Sequence, residues 1–116
     1  MSMGIGTNAR KPDEGKLKRD DLREIACGVW FTSTGTAMPK MIKYQDDEGM
    51  IHSIEQIHVQ TREKKYYCGI PIHEYRCSTV AQGQEYLFRL YYYAEENRWK
   101  LSWESGRDNV RTILCR

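Results

Sequence analysis

The clearest alternation of apolar and polar positions lies in residues 86–103, Y-L-F-R-L-Y-Y-Y-A-E-E-N-R-W-K-L-S-W. This pattern predicts two strands joined by a tight polar turn. In the first arm, even and odd positions are both largely apolar or aromatic, which is typical of a central strand covered on both faces. The second arm alternates Trp99, Leu101 and Trp103 with polar residues, so we expect it to be half-exposed.

A different period precedes this hairpin. The apolar residues fall at i, i+3, i+4, i+7 and i+8, the stripe of an amphipathic helix. They are Leu22, Ile25, Ala26, Val29 and Trp30. Asp20 is a suitable N-cap for this helix, and the turn-rich run T-S-T-G-T around Gly35 should end it. The sequence therefore predicts one helix near the N-terminus.

After Pro39 the chain reads as strands separated by polar turns. Residues 41–45 and 50–56 form a predicted hairpin, and Gly49 supplies the positive φ that its turn needs. The apolar phase changes at residues 55–56, which indicates a bulge within one continuing strand. The charged run at residues 62–65 is predicted to be a turn, followed by a strand over residues 66–80 and a turn at residues 81–84.

These elements predict an α+β fold. One N-terminal amphipathic helix packs on a strongly curved antiparallel meander of about five strands. A small closed β-barrel with the helix as a plug is the alternative. We expect residues 1–15 to be a flexible basic arm, residues 16–104 to be a single domain, and residues 105–116 to be a basic C-terminal tail.

Length and charge narrow the possible classes of protein. The 116 residues suit one domain, and the sequence contains neither an apolar run near 18 residues nor a secretory apolar segment, so we expect a cytoplasmic protein.

Net charge is +2. Residues 1–19 hold five basic and two acidic side chains, a net +3; residues 105–116 hold three basic and one acidic, a net +2; the middle is therefore −3. Nucleic-acid binding would have to use the ends of the chain. Its candidate contacts are Arg10, Lys11, Lys16, Lys18 and Arg19.

The residues that could carry chemistry form no recognisable motif. Cys68, Cys77 and His73 have a spacing unlike structural zinc sites, so we expect no metal and no cofactor. A nucleophile–base pair between one of these cysteines and His52, His58 or His73 is conceivable, but nothing in the spacing requires it. No nucleotide-binding or hydrolase motif is present. We therefore assign no catalytic residue and favour a protein that is not an enzyme.

The eight tyrosines and Arg89 are the strongest candidates for a binding surface. Tyr91 and Tyr93 share the odd face of their strand with Arg89, which needs a carboxylate such as Glu74 or Glu85 if that face is covered. Rigid aromatic rings favour binding to a partner or a base. The candidate surface for a ligand or partner comprises Arg89, Tyr91, Tyr93, His73, Trp99 and Trp103.

We therefore expect a small non-enzymatic binding or protein-interaction module. Its partner would be an unidentified protein or a second copy of the chain, docked through the sheet face. Two alternatives remain. One is a nucleic-acid accessory protein that uses basic termini and Tyr and Arg stacking, and the other is a small enzyme or ligand pocket in the curved sheet.

Overall fold

The computed structural model describes residues 13–15 and 22–104, and the described residues form one all-β domain. The seven strands are β1 (Arg23–Phe31), β2 (Ala37–Gln45), β3 (Ile51–Ile54), β4 (His58–Tyr67), β5 (Ile70–Ala81), β6 (Gln84–Tyr93) and β7 (Arg98–Trp103). They form one antiparallel sheet in the order β3-β2-β1-β7-β6-β5-β4. The predicted antiparallel sheet and single domain are confirmed. None of the described residues belongs to a helix long and apolar enough to cross a membrane.

The predicted N-terminal helix is wrong, because its residues form β1. The segment also carries a period of two: Ile25, Cys27 and Val29 pack against the core, while the residues between them are exposed. β1 lies between β2 and β7 and pairs with both. Because both neighbours supply backbone hydrogen bonds, the strand conformation prevails over the helical pattern. The alternative barrel with a helical plug is wrong for the same reason.

The predicted single strand across residues 50–61 is also wrong. The turn containing Gly49 is confirmed, with φ 90°. However, β3 ends at Ile54 and β4 begins at His58, and these two strands form opposite edges of the sheet. The change of apolar phase marks this crossing from one edge to the other. Consequently, the sheet has seven strands where the sequence predicted about five.

The charged run at residues 62–65 lies inside β4, so the predicted turn is wrong there. The actual turn is at Cys68 and Gly69, with φ 50° and 80°. Two successive positive φ angles are typical of a tight hairpin turn. Gln82 and Gly83 repeat this geometry at the turn that was predicted correctly. The charges of β4 are appropriate because charged side chains on an edge strand oppose pairing with other chains.

The sheet curls so that its inner face encloses the core. The Tyr44 ring on β2 lies 5.9 Å from that of Trp103 on β7, with edge-to-face geometry. Tyr75 on β5 reaches the backbone of Ala37 on β2. Buried residues of this core include Ile42, Ile54, Cys77, Phe88, Leu90, Trp99 and Leu101. The interior is therefore closed mainly by aromatic and aliphatic side chains from both halves of the sheet.

The predicted burial of β6 on both faces is confirmed. Tyr86, Phe88 and Leu90 face the core, while Tyr91 on the outer face is only 2% exposed. The half-exposed character predicted for β7 holds at exposed Arg98 and half-buried Lys100 but not at Ser102. Ser102, on its outer face, is completely buried. The outer face of β7 is therefore buried at Ser102, which the alternating pattern alone did not indicate.

Candidate functional site

An open cleft lies at the end of the curled sheet where β1 ends, β2 begins and the β6–β7 turn approaches β5. It comprises a chamber of about 200 Å³ and a neighbouring chamber of about 330 Å³. Phe31 and Tyr92 line both chambers. The smaller chamber also includes Arg62 and His73, and the larger includes Trp99. We call this site the aromatic cleft.

The floor of the aromatic cleft is a fixed stack of rings. Tyr92 lies parallel to Trp99, with centroids 4.5 Å apart and planes 21° from each other. Trp99 in turn lies 5.4 Å from Tyr75. The Tyr92 hydroxyl donates a hydrogen bond to Oδ1 of Asn97 at 3.0 Å. Because packing and this bond both restrain Tyr92, which is only 7% exposed, this side chain forms a rigid and largely covered part of the floor.

One wall of the smaller chamber is cationic. Nη1 of Arg62 on β4 lies 3.2 Å from Nδ1 of His73 on β5. Since a guanidinium only donates, Nδ1 accepts and the proton of the neutral ring is on Nε2. Burial and the charges of Arg62 and Lys64 lower the pKa of His73. The wall therefore presents a permanent cation beside a histidine that is held neutral.

Phe31 forms the lip of the aromatic cleft and is 60% exposed. Its neighbour Trp30 is 71% exposed and points to the opposite face, as consecutive strand residues do. Nζ of Lys40 lies 5.7 Å from the centroid of the Trp30 ring. The two adjacent aromatic side chains therefore offer contacts on different sides of the sheet.

The far end of the larger chamber carries more negative than positive charge. Nη2 of Arg98 forms an ion pair with Glu24, and its Nη1 lies 3.8 Å from Glu96. These groups are on β1, β7 and the turn before β7. The two ends of the aromatic cleft consequently differ, with excess positive charge at Arg62 and one arginine facing two carboxylates at Arg98.

Arg89 lies on the outer face, away from the aromatic cleft, and is held by two carboxylates. Nη1 pairs with Glu74, and Nε donates to Oε2 of Glu104 at 2.9 Å. Of the two carboxylates expected from the sequence, Glu74 and not Glu85 is thus the partner of Arg89. Glu74 is 2% exposed; it also accepts a hydrogen bond from Tyr67 at 2.9 Å and lies 3.4 Å from Nζ of Lys65. This ion network ties β4, β5 and β6 together and neutralises Arg89.

The sequence-predicted surface is therefore divided between two faces. His73 and Trp99 contribute to the aromatic cleft, and Trp103 lies in the core. Tyr91 and Tyr93 accompany Arg89 on the outer face, where Nζ of Lys100 lies 4.9 Å from the Tyr93 ring centroid. Trp99 and Trp103 are both nearly buried, so neither forms part of an exposed sheet face. The five basic residues proposed for nucleic-acid contact lie outside the described residues. They are Arg10, Lys11, Lys16, Lys18 and Arg19.

Sequence reasoning missed Arg62, Phe31 and Tyr92 as site residues. Arg62 was assigned to a turn, and Phe31 followed a segment read as helix. A signal for Phe31 was present, because it continues the period-two series of Ile25, Cys27 and Val29. No local signal indicated that β4 and β1 would meet at one cleft, since their contact depends on the curl of the sheet.

The cysteines and histidines do not assemble into a nucleophile–base pair in the described residues. Cys77 is buried in the core, and burial raises the pKa of its thiol to about 12. Cys68 lies in the exposed β4–β5 turn. His52 pairs with Asp46 at 2.7 Å, while His73 contacts Arg62. Across residues 13–15 and 22–104, no three His, Cys, Asp or Glu side chains are grouped to hold a metal ion.

Part of the predicted basic arm is docked on the sheet. The Asp13 carboxylate accepts backbone N–H bonds from Cys68 at 3.1 Å and Gly69 at 2.6 Å. It also accepts one from Gly15. These hydrogen bonds lower the pKa of Asp13. Residues 13–15 are thus anchored to the β4–β5 turn, whereas residues 1–12 and the predicted tail at 105–116 lie outside the described residues.

Comparison of the chain with protein-family models, with curated proteins and with solved structures gives no significant match to any of them.

Proposed function

We propose that this protein is a small non-enzymatic binding module whose ligand site is the aromatic cleft. The observation that carries the proposal is the position of Tyr92, which lines both chambers while it is fixed by Trp99 and Asn97. Tyr92 is only 7% exposed, so it gives the cleft a rigid floor, while the exposed ring of Phe31 at the lip offers the surface on which a ligand stacks. The combined site is of the size that takes a small molecule.

The arrangement of His73 supports binding rather than proton-transfer chemistry. Its Nδ1 lone pair is occupied by a guanidinium donor and its Nε2 carries the proton, so neither nitrogen of the neutral ring is free to take a proton from a substrate. Catalytic histidines are usually oriented by a carboxylate, which accepts from the ring. At this site the histidine instead provides shape and a polar edge.

A fragment screen followed by two-dimensional NMR tests this function. Ligands should shift the side-chain amide of Asn97 and the backbone amides of Tyr92 and Trp99. Phe31→Ser should weaken a cleft ligand about fivefold to tenfold, since an aromatic contact contributes about 1 kcal/mol. Trp30→Ser is the matched control, because Trp30 is adjacent and similarly exposed but faces away. Equal losses in both variants, or shifts located elsewhere, would overturn the proposal.

A protein-interaction surface centred on Trp30 is the second candidate function. Trp30 is 71% exposed, and tryptophan is a frequent anchor of protein interfaces. The partner could be a second copy of the chain. Sedimentation velocity at low and high protein concentration tests this self-association. A dimer that Trp30→Ser converts to monomer supports it, while a monomer at every concentration contradicts it.

A further inference from the structure

We propose that the aromatic cleft takes a planar aromatic anion, with the carboxylate or phosphate of the ligand between Arg62 and His73 and its ring against Phe31. This inference rests on the proposed function, because it assigns a chemical class to the ligand of the same site.

Arg62 differs from the other described arginines in what it pairs with. Four of the five arginines in the described part of the chain form ion pairs with carboxylates; these are Arg23, Arg76, Arg89 and Arg98. Arg62 makes no such pair within residues 13–15 and 22–104, and its hydrogen bond goes to neutral His73. Lys64, two residues further along β4, also has no carboxylate partner there. Positive charge at the cleft is therefore uncompensated by the described residues.

The donors of this wall have a geometry that suits an anion. A guanidinium has five N–H donors arranged in a planar fork, and the bond to His73 uses one of them. The remaining donors suit the two oxygens of a carboxylate or phosphate, which arginine commonly binds in bidentate fashion. His73 adds its Nε2 proton as a further donor. An anion bridging these two side chains would receive hydrogen bonds from both.

The charges at the two ends of the aromatic cleft favour one orientation of a ligand. The smaller chamber contains the cationic wall, and the larger contains the balanced pair of Arg98 and Glu24. An anionic group is favoured at the Arg62 end and disfavoured near Glu24. Tyr92 lies between the two ends and stacks on Trp99. A ligand with one anionic end and a flat body fits this division, whereas a dianion charged at both ends does not.

Protonation of His73 should accompany binding. The groups that face it are Arg62 and Lys64 from β4, Tyr92 from β6, and Tyr75 on its own strand β5. The two cations disfavour the imidazolium form in the free protein. A bound anion offsets their charge and therefore raises the pKa of His73 in the complex. The added proton goes to Nδ1, so Arg62 gives up its bond to His73 and directs that donor to the anion as well. Affinity should therefore increase as the pH falls through the pKa that His73 has in the complex.

Isothermal titration calorimetry on the full chain tests the ligand class with two matched pairs. The first pair is 2-naphthoate and 2-naphthalenemethanol, and the second is adenosine monophosphate and adenosine. In at least one pair the anion should bind about tenfold more tightly than its neutral analogue. The pair that shows this preference distinguishes a carboxylate ligand from a phosphate ligand.

Two variants locate the anion. Arg62→Gln should weaken the preferred anion about tenfold and leave the neutral analogue unchanged, since only the anion uses the guanidinium. Lys43→Gln is the control, because Lys43 is an exposed cation on β2 that does not line the cleft. Thermal melts of both variants establish that they remain folded. Proton uptake on binding, measured in buffers of different ionisation enthalpy, should disappear in His73→Gln.

The outcomes separate this inference from the proposed function. If the neutral analogues bind as tightly as the anions and Arg62→Gln has no effect, the proposed preference for an anion is overturned. The cleft would in that case still be a binding site. Failure of all four compounds would also overturn the inference, and the fragment screen would then decide independently whether the aromatic cleft binds ligands. An anion that binds Lys43→Gln as weakly as Arg62→Gln indicates diffuse attraction and equally contradicts the proposed site.

Discussion

The hydroxyl of Tyr75 on β5 donates a buried hydrogen bond to the backbone carbonyl of Ala37 at the start of β2. These strands are not neighbours, because β1, β7 and β6 separate them in the sheet. The bond therefore spans the interior and joins the two halves of the curled sheet beside the aromatic cleft. Burial raises the pKa of Tyr75 to about 12, so the hydroxyl remains a donor at neutral pH.

Tyr75→Phe should lower the free energy of unfolding by about 1–2 kcal/mol, because it removes the donor and leaves the buried Ala37 carbonyl without it. Urea denaturation followed by circular dichroism measures this loss. Tyr86→Phe is the matched control: its ring lies in the same core, but its hydroxyl bonds only to nearby Gln84 at 3.3 Å. A loss in Tyr75→Phe no greater than that in Tyr86→Phe would contradict the role assigned to this bond.

Glu74→Gln should destabilise the protein by about 1–3 kcal/mol, since it removes the buried charge that faces Arg89 and Lys65. Glu63→Gln is the control, because Glu63 is the cross-strand neighbour of Glu74 but has a side chain that is 64% exposed. Thermal unfolding at neutral pH compares the two variants. Equal effects would show that burial of Glu74 contributes nothing.

The same residue should influence acid stability. Burial alone raises the pKa of Glu74, but the bond from Tyr67 and the charges of Lys65 and Arg89 outweigh it and hold the pKa below the ordinary 4.5. The unfolded chain therefore binds the proton more readily than the folded protein. This contribution is present above the unfolded pKa and is lost as the pH falls through the folded pKa. Below about pH 4.5, Glu74→Gln should lose stability less steeply than the unsubstituted protein.

His73 should produce a second pH dependence at higher pH. Its lowered pKa means that the unfolded chain binds a proton more readily than the folded protein. The corresponding stability is complete above pH 6.5 and is lost as the pH falls toward the folded value. His73→Gln should reduce this loss in denaturant titrations from pH 7.5 to 5.5, a window of about one unit either side of the ordinary pKa. An unchanged slope in His73→Gln would be the contradictory result.

The three described cysteines should differ in reactivity. Burial raises the pKa of Cys27 and of Cys77 to about 12, so almost no thiolate is present at neutral pH. Cys68 is exposed in the β4–β5 turn. Alkylation with iodoacetamide at pH 8, followed by peptide mass spectrometry, should label Cys68 at least about tenfold faster than the other two. Denaturant should equalise the three rates, and equal rates without denaturant would contradict the assigned burial.

Local features of the sequence predicted local parts of the fold. The β6–β7 hairpin followed from alternating apolar positions on either side of a polar turn, and the turn at Gly49 followed from the need for positive φ. The need of Arg89 for a carboxylate also followed from physical chemistry, since a covered strand cannot contain an unpaired guanidinium. Each of these inferences depends on residues within one strand or hairpin, or on one buried group.

The tertiary structure decided the rest. Residues 22–30 carry both a helical and a strand period, and pairing with β2 and β7 selected the strand, because isolated propensity is small beside two rows of backbone hydrogen bonds. The aromatic cleft was likewise decided only by the curl of the sheet. Arg62, His73 and Tyr92 lie on three strands, and nothing local indicates that Phe31 of a fourth strand meets them. The sequence by itself thus determined turns, a hairpin and the need for buried pairing, whereas long-range strand pairing decided which residues form the candidate site.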